Sequence, residues 1–92
     1  MSAYRKGYRA ERDFMAYMAK IADFRSIRSS GSHTPIDILC GNGSMIYAVQ
    51  VKYGTRKRKV NKEELREWAK HFMAKPVIAS RKPHGEWVIE DV

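Results

Sequence analysis

The sequence is short of several things, and each shortage narrows the field. It has one cysteine, Cys40, in 92 residues, which excludes an internal disulfide framework and any cysteine-rich zinc site and fits a reducing cytoplasm. No apolar run approaches the ~18 residues that a membrane-spanning helix needs. The N-terminal stretch has no apolar segment after its basic residues, so no secretory signal is read there and a cytoplasmic location is expected. Repeats, low-complexity tracts and Pro/Gly-rich linkers are also missing, so nothing divides the chain. Acidic residues are scarce: 10 Asp plus Glu stand against 18 Lys plus Arg, a formal charge of +8.

What is present describes one small basic domain. An apolar fraction of 43% with ten aromatics (three Phe, five Tyr, two Trp) suffices for a folded core, and argues against disorder. The core is thin, however, because a domain this small buries only about 60 to 65% of the surface its unfolded chain exposes. An oligomer interface would add stability. The charge excess favours a polyanionic partner, since each neutralised phosphate releases condensed counterions.

Four regions succeed one another. From Tyr4 to Asp23 the spacing predicts an amphipathic helix, with Tyr4, Tyr8, Phe14, Met15, Met18, Ile21 and Ala22 on one arc and Arg5, Lys6, Arg9, Arg12 and Lys20 opposite. Glu11 falls inside the apolar arc. A carboxylate placed there needs a partner or a metal, because burying it alone is costly. A short extended piece, 24–28, and a polar loop, 29–35, lead into a hairpin. Its strands are 36–40 and 45–52, with Asn42-Gly43 as a two-residue type I′ turn. That turn would set Leu39 opposite Ile46 and Asp37 opposite Ala48, with Gln50 as the diagonal neighbour of Asp37 and Lys52 on the same face.

Arg56-Lys57-Arg58-Lys59 then form a basic loop, suited to phosphate contact. A second helix should begin at Asn61, an N-cap with Glu64 three residues on, present Leu65, Trp68, Ala69, Phe72 and Met73 as a packed stripe, and stop at Lys75-Pro76. Two short strands, 77–79 and 87–89, complete the order α-β-β-β-α-β-β, an α/β (α+β sandwich) arrangement around a mixed sheet. His33, His71 and His84 share no ligand spacing. Cys40 reads as a small buried hydrophobe.

Chemistry concentrates in Glu11, Asp37, Gln50, Val51 and Lys52. The carboxylates of Glu11 and Asp37, the Gln50 amide oxygen and the Val51 carbonyl are the oxygen donors a hard cation such as Mg²⁺ accepts. A lysine beside them can orient water and balance charge growing on a phosphate. The bland alternative has Asp37 capping a turn, Gln50 as a satisfied strand amide and Lys52 extended along the surface.

Pro35-Ile36-Asp37 followed by Gln50-Val51-Lys52 resembles the PD-(D/E)xK nuclease signature, with one residue inserted after Pro and Gln in place of an acidic residue. Lys6-Gly7-Tyr8-Arg9-Ala10-Glu11-Arg12 and Arg28-Ser29-Ser30-Gly31-Ser32, in that order, make the chain similar to the archaeal Holliday-junction resolvases over nearly its whole length. The resemblance implies a restriction-endonuclease-like core in one domain, 1–92, working as a homodimer on branched DNA such as a four-way junction. Glu11, Asp37 and Gln50 would ligate Mg²⁺, or Mn²⁺ as a substitute, and Lys52 would act near the attacking water. It further implies that Arg12 and Arg28 contact the DNA backbone, that Ser30 and Ser32 lie beside the scissile phosphate, and that Trp68 and Phe72 form the dimer contact, against the plain alternative of core packing for these two. A phage-type replication-repair or flap nuclease and a non-catalytic branched-DNA-binding protein remain as rival readings.

Overall fold

In a computed structural model of the chain, residues 3–29, 34–53, 61–81 and 85–92 are described, the side chains of 3–8 and 53 excepted. Ser30, Ser32, His33, Arg56, Lys57, Arg58, Lys59 and His84 lie outside the described residues, as do the side chains of Tyr4, Arg5, Lys6 and Tyr8.

Helix α1 spans Ala3–Ala22. It buries Phe14 and Met18 and half-buries Met15, as the spacing predicts, and also buries Ala10 and half-buries Tyr17, which the predicted arc did not include. Ile21 and Ala22, expected on the same arc, are exposed at the last turn of the helix, and Asp23, at φ 56°, then turns the chain into strand β1, Arg25–Arg28. Asp tolerates this left-handed conformation better than most side chains.

β2, Ile38–Gly41, and β3, Ile46–Tyr53, form the hairpin, but not with the predicted turn. The loop has four residues, 42–45, so Gly41 pairs with Ile46 and Leu39 with Ala48. Asn42 explains the difference. Its Oδ1 accepts from the N–H groups of Ser44 (2.9 Å) and Met45 (2.8 Å), and its own N–H donates to the Met45 carbonyl. A type I′ turn requires positive φ at both central residues, whereas only Gly43 (φ 92°) has it. The register therefore shifts by two residues, which keeps every side chain on its expected face.

Helix α2, Lys62–His71, crosses from β3 to a parallel β4, Lys75–Arg81. Asn61 caps it, its Oδ1 accepting from the Glu64 N–H at 3.0 Å. The helix ends earlier than Lys75-Pro76, in a Schellman closure. Met73 adopts φ 53°, its N–H donates to the Lys70 carbonyl, and the Ala74 N–H donates to the Ala69 carbonyl. Of the predicted stripe only Leu65 and Ala69 are buried; Trp68, Phe72 and Met73 are exposed. Strand β5, Val88–Asp91, completes a mixed sheet of order β1-β2-β3-β4-β5, with only β3 and β4 parallel.

Alternation along the strands divides the core into two layers. On one face Phe14 and Met18 of α1 pack with Phe24, Ile38, Cys40, Val49, Val77 and Ala79. On the other, Leu65 and Ala69 of α2 pack with Ile36, Ala48 and Ile78. Arg81 secures α1 to the sheet, donating to Asp13 Oδ2 at 3.1 Å and stacking over the Trp87 ring, which meets Phe14 edge-on at 5.1 Å. Burial also confirms the reading of Cys40, whose thiol is pushed up to about 11 chiefly by loss of solvent.

Candidate active site

The site forms where β2 begins and β3 ends. Asp37 sits just ahead of β2 and is fixed at three points. Its N–H donates to the Val49 carbonyl (2.8 Å), its carbonyl accepts from the Ser29 N–H (2.9 Å), and its carboxylate Oδ2 accepts from the Val51 N–H (2.8 Å). Val49 and Val51 thus bracket it, and Gln50 lies beside it. The diagonal placement expected from the shorter turn is replaced by direct adjacency.

That Val51 bond also settles where the carboxylate points. The backbone N–H groups of a strand lie in the plane of the sheet, so the Asp37 carboxylate occupies the plane between the two faces. Gln50 and Lys52 alternate onto the α2 side with Ala48, while Glu11 arrives from α1 on the opposite side. A carboxylate in the sheet plane can be shared by both layers. One confined to a single face could not.

Glu11 is partly buried, and Arg28 Nη1 lies 3.5 Å from its Oε1. The partner that its position on the apolar arc required is therefore this guanidinium, carried by the last residue of β1. Burial raises the Glu11 carboxyl above its ordinary range, the charge of Asp37 raises it further, and Arg28 opposes both. Asp37 is raised by burial, with the Val51 N–H opposing. Two carboxylates that feel each other's charge in a partly desolvated site resist being ionised together.

Lys52 is half-buried and stands in register with Ser80 of β4 on the α2 side. Arg9 and Arg12 are exposed on α1, two residues and one residue from Glu11, and Arg28 is half-buried and paired with Glu11. Trp68 lies on α2 and Phe72 caps its C-terminal end. Among the described residues no cluster of three His, Cys, Asp or Glu side chains is poised to hold a metal. The acidic part of the site is the pair Glu11 and Asp37.

Sequence reasoning missed Ser29 as a backbone anchor of Asp37, and Arg81 and Asp13 as the tie that holds α1, and so Glu11, against the sheet. No local signal reveals the first, because it depends on how β1 pairs with β2. The second had a faint one: a lone arginine closing the apolar run Val77-Ile78-Ala79.

A mixed sheet with helices on opposite faces, an aspartate entering it and a Gln-x-Lys leaving it defines a PD-(D/E)xK-type nuclease core. Comparison with known proteins narrows this class. The family model for the archaeal Holliday junction resolvase (Hjc) matches residues 2–92, and the chain belongs to that family. Among solved structures, the chain is similar to that of Archaeoglobus fulgidus Hjc, described as a Holliday junction resolvase from an archaeal hyperthermophile. The two share 34% identity over 94% of this chain and 72% of that one, with a TM-score of 0.79. No curated protein sequence matches.

Proposed function

We propose that the protein is a metal-dependent endonuclease that resolves four-way DNA junctions as a homodimer, each protomer cutting one strand. The observation that carries this reading is the anchoring of the Asp37 carboxylate on Val51, between Gln50 and Lys52 in the sequence of β3, with Glu11 held by Arg28, in a chain of the archaeal resolvase family.

The donor set suits a hard divalent cation. Two partly desolvated carboxylates, with Glu11 raised further by the charge of Asp37, would be stabilised by a positive charge between them, and neutral carbonyl oxygens from Gln50 and Val51 would extend the set. Glu11, Asp37, Gln50 and the Val51 carbonyl would hold Mg²⁺, with Mn²⁺ as a substitute. Such an ion supplies Lewis-acid polarisation of the scissile phosphate and a more acidic water. The chain's own groups do the rest. The Lys52 ammonium orients the attacking water and offsets negative charge growing on the phosphoryl oxygens during in-line hydrolysis. Two backbone hydrogen bonds hold Asp37 in place and the Val51 N–H holds its carboxylate before substrate arrives, so little reorganisation is needed.

Arg9 and Arg12 extend positive charge from the site along α1, where backbone phosphates would be held; Arg5, Lys6 and Arg56 to Lys59 are assigned the same role from their charge. Arg28 would contact the backbone while restraining Glu11. Junction shape, read through phosphates, would then set selectivity. Dimer formation is supported by an apolar surface on the α2 side. α2 packs on β3 and β4, so Ile27 of β1 (67% exposed) and Ile46 (41%) are uncovered, with Trp68 (36%) and Phe72 (47%) exposed on α2. Apolar side chains of this size are depleted from surfaces that face only water. Core packing of Trp68 and Phe72 is not what their exposure supports.

A substrate panel tests the reading. Labelled four-way junction, flap, splayed arm and linear duplex are incubated with the protein and Mg²⁺. Preferential paired nicking of the junction is expected. Equal or better cleavage of flaps would favour a flap-type nuclease, and selective junction binding without nicking in Mg²⁺ or Mn²⁺ would favour a binding protein.

A further inference from the structure

A cleft of about 670 Å³ opens between α1 and the edge strand β1. Its volume is in the ~300–1,000 Å³ range of sites that take small organic groups. The cleft runs from Arg12 to Ala19, seven residues along α1, or ~10 Å at helical rise, and Arg28, the partner of Glu11, is part of its lining.

Its lining has two characters. Arg12, Arg25 and Arg28 bring three guanidiniums to it. Between them the surface is apolar, formed by the small side chains of Ala16 and Ala19 and by Phe24, which is itself packed into the core. Ser26 also lines the cleft, and its buried hydroxyl has no hydrogen-bond partner among the described residues. A polar atom left unsatisfied in this way costs free energy, and a single χ1 step would turn it toward a ligand.

Anionic at one end and flat and apolar at the other, a nucleotide matches this lining: phosphate to the guanidiniums, base to the alanine and phenylalanine surface, with a base edge or sugar oxygen for Ser26. A duplex cannot supply it, because its bases are stacked and turned inward. An unpaired nucleotide at a branch can, since little stacking must be broken to release it.

We infer that the α1–β1 cleft, by its three arginines around an apolar floor beside Glu11, receives one unpaired nucleotide of branched DNA. The inference rests on the junction-cleaving function proposed above and adds to it. Selectivity for branched over linear DNA then comes partly from a captured base and not from phosphate geometry alone.

The test places 2-aminopurine at successive positions flanking the branch of a four-way junction. Binding is measured with protein carrying Asp37→Asn, so that the strands remain whole. The same protein is compared with versions that also carry Ala16→Leu or Ala19→Leu. Both positions are exposed, and leucine is a strong helix former, so the added bulk enters the cleft without breaking the helix; circular dichroism checks this. Ser26→Ala is the third comparison, acting on the hydroxyl without adding bulk.

At one position a severalfold fluorescence rise is expected on binding. Either leucine should reduce it at least fivefold and lower the preference for junction over duplex, with duplex affinity held within twofold. Ser26→Ala should reduce the rise partially. A rise of full size in both leucine variants would overturn the inference, as would selective junction binding with no rise at any position. Junction bound no better than duplex by the Asp37→Asn protein would instead refute the junction reading itself, and the cleft assignment with it.

Discussion

Gln50 occupies the place where the nuclease signature has an acidic residue, and replacing it with glutamate probes the charge of the site directly. In Gln50→Glu a third carboxylate would stand beside Asp37, at the ~5 Å separation of neighbouring cross-strand side chains. Two unit charges at that distance repel by about 3 kcal/mol at an effective dielectric of ~20. Gln50 is only half-buried, so solvent screening leaves roughly half of this, about 1.5 kcal/mol. For a domain of this size that lowers the melting temperature by roughly 6–12 °C in EDTA at neutral pH. A divalent cation held by the same carboxylates removes the repulsion, so the variant should bind Mg²⁺ about tenfold more tightly than wild type. The assay is thermal unfolding of both proteins across a Mg²⁺ series. The variant should start lower and climb more steeply, because a ligand that binds only the folded state stabilises in proportion to the logarithm of its saturation ratio. Parallel curves, with the variant keeping its deficit at every concentration, would refute the placement of Gln50 in the metal shell.

Much of the fold was legible because it depends on local chemistry: the arc of Phe14 and Met18, the Asn61 cap and the alternation that sets Gln50 and Lys52 on one face. The hairpin register was not. It turned on whether Asn42 would take positive φ or use its side-chain oxygen as an acceptor, and the dipeptide Asn-Gly permits both. The packed stripe on α2 was misread for a different reason. Periodicity marks an apolar face without saying how much of it this chain covers, and within the protomer only Leu65 and Ala69 of that stripe are buried. At the site the approach of Asp37 to the end of β3 was readable, but the position of its carboxylate was not. It depends on the Val51 N–H, a backbone group with no signature in the sequence.

Three further predictions follow from individual groups. The carboxyls of Glu11 and Asp37 are both raised above ordinary values of 4.5 and 3.8, so the folded chain holds these protons more tightly than the unfolded one. Their contribution to stability is complete below about pH 3.8 and is lost as pH rises through the raised values. In EDTA, Asp37→Asn should therefore gain on wild type in melting temperature from pH 4 to neutrality, and a pH-independent difference would contradict the raised Asp37. Cys40, with its thiol pushed up to about 11 and its side chain buried, should not react with a thiol reagent at pH 8 until denaturant is added; full labelling of the native protein within minutes would show the strand to be open. Trp68→Ala with Phe72→Ala should convert a dimer to monomers in sedimentation at micromolar concentration while preserving the circular dichroism spectrum, since neither side chain is buried within the protomer. A monomeric wild type, or a variant that remains dimeric, would remove these residues from the interface.

The central claim is that Asp37 and Lys52 carry out phosphodiester hydrolysis on a four-way junction. It is tested most directly by incubating one labelled junction with wild type, Asp37→Asn and Lys52→Ala in Mg²⁺ and mapping the nicks on all four strands. Symmetric nicks on an opposed pair of strands are expected from wild type, with at least a hundredfold loss, ~2.7 kcal/mol of barrier, in either variant. Equal nicking by all three proteins, or an intact junction with wild type, would contradict the account.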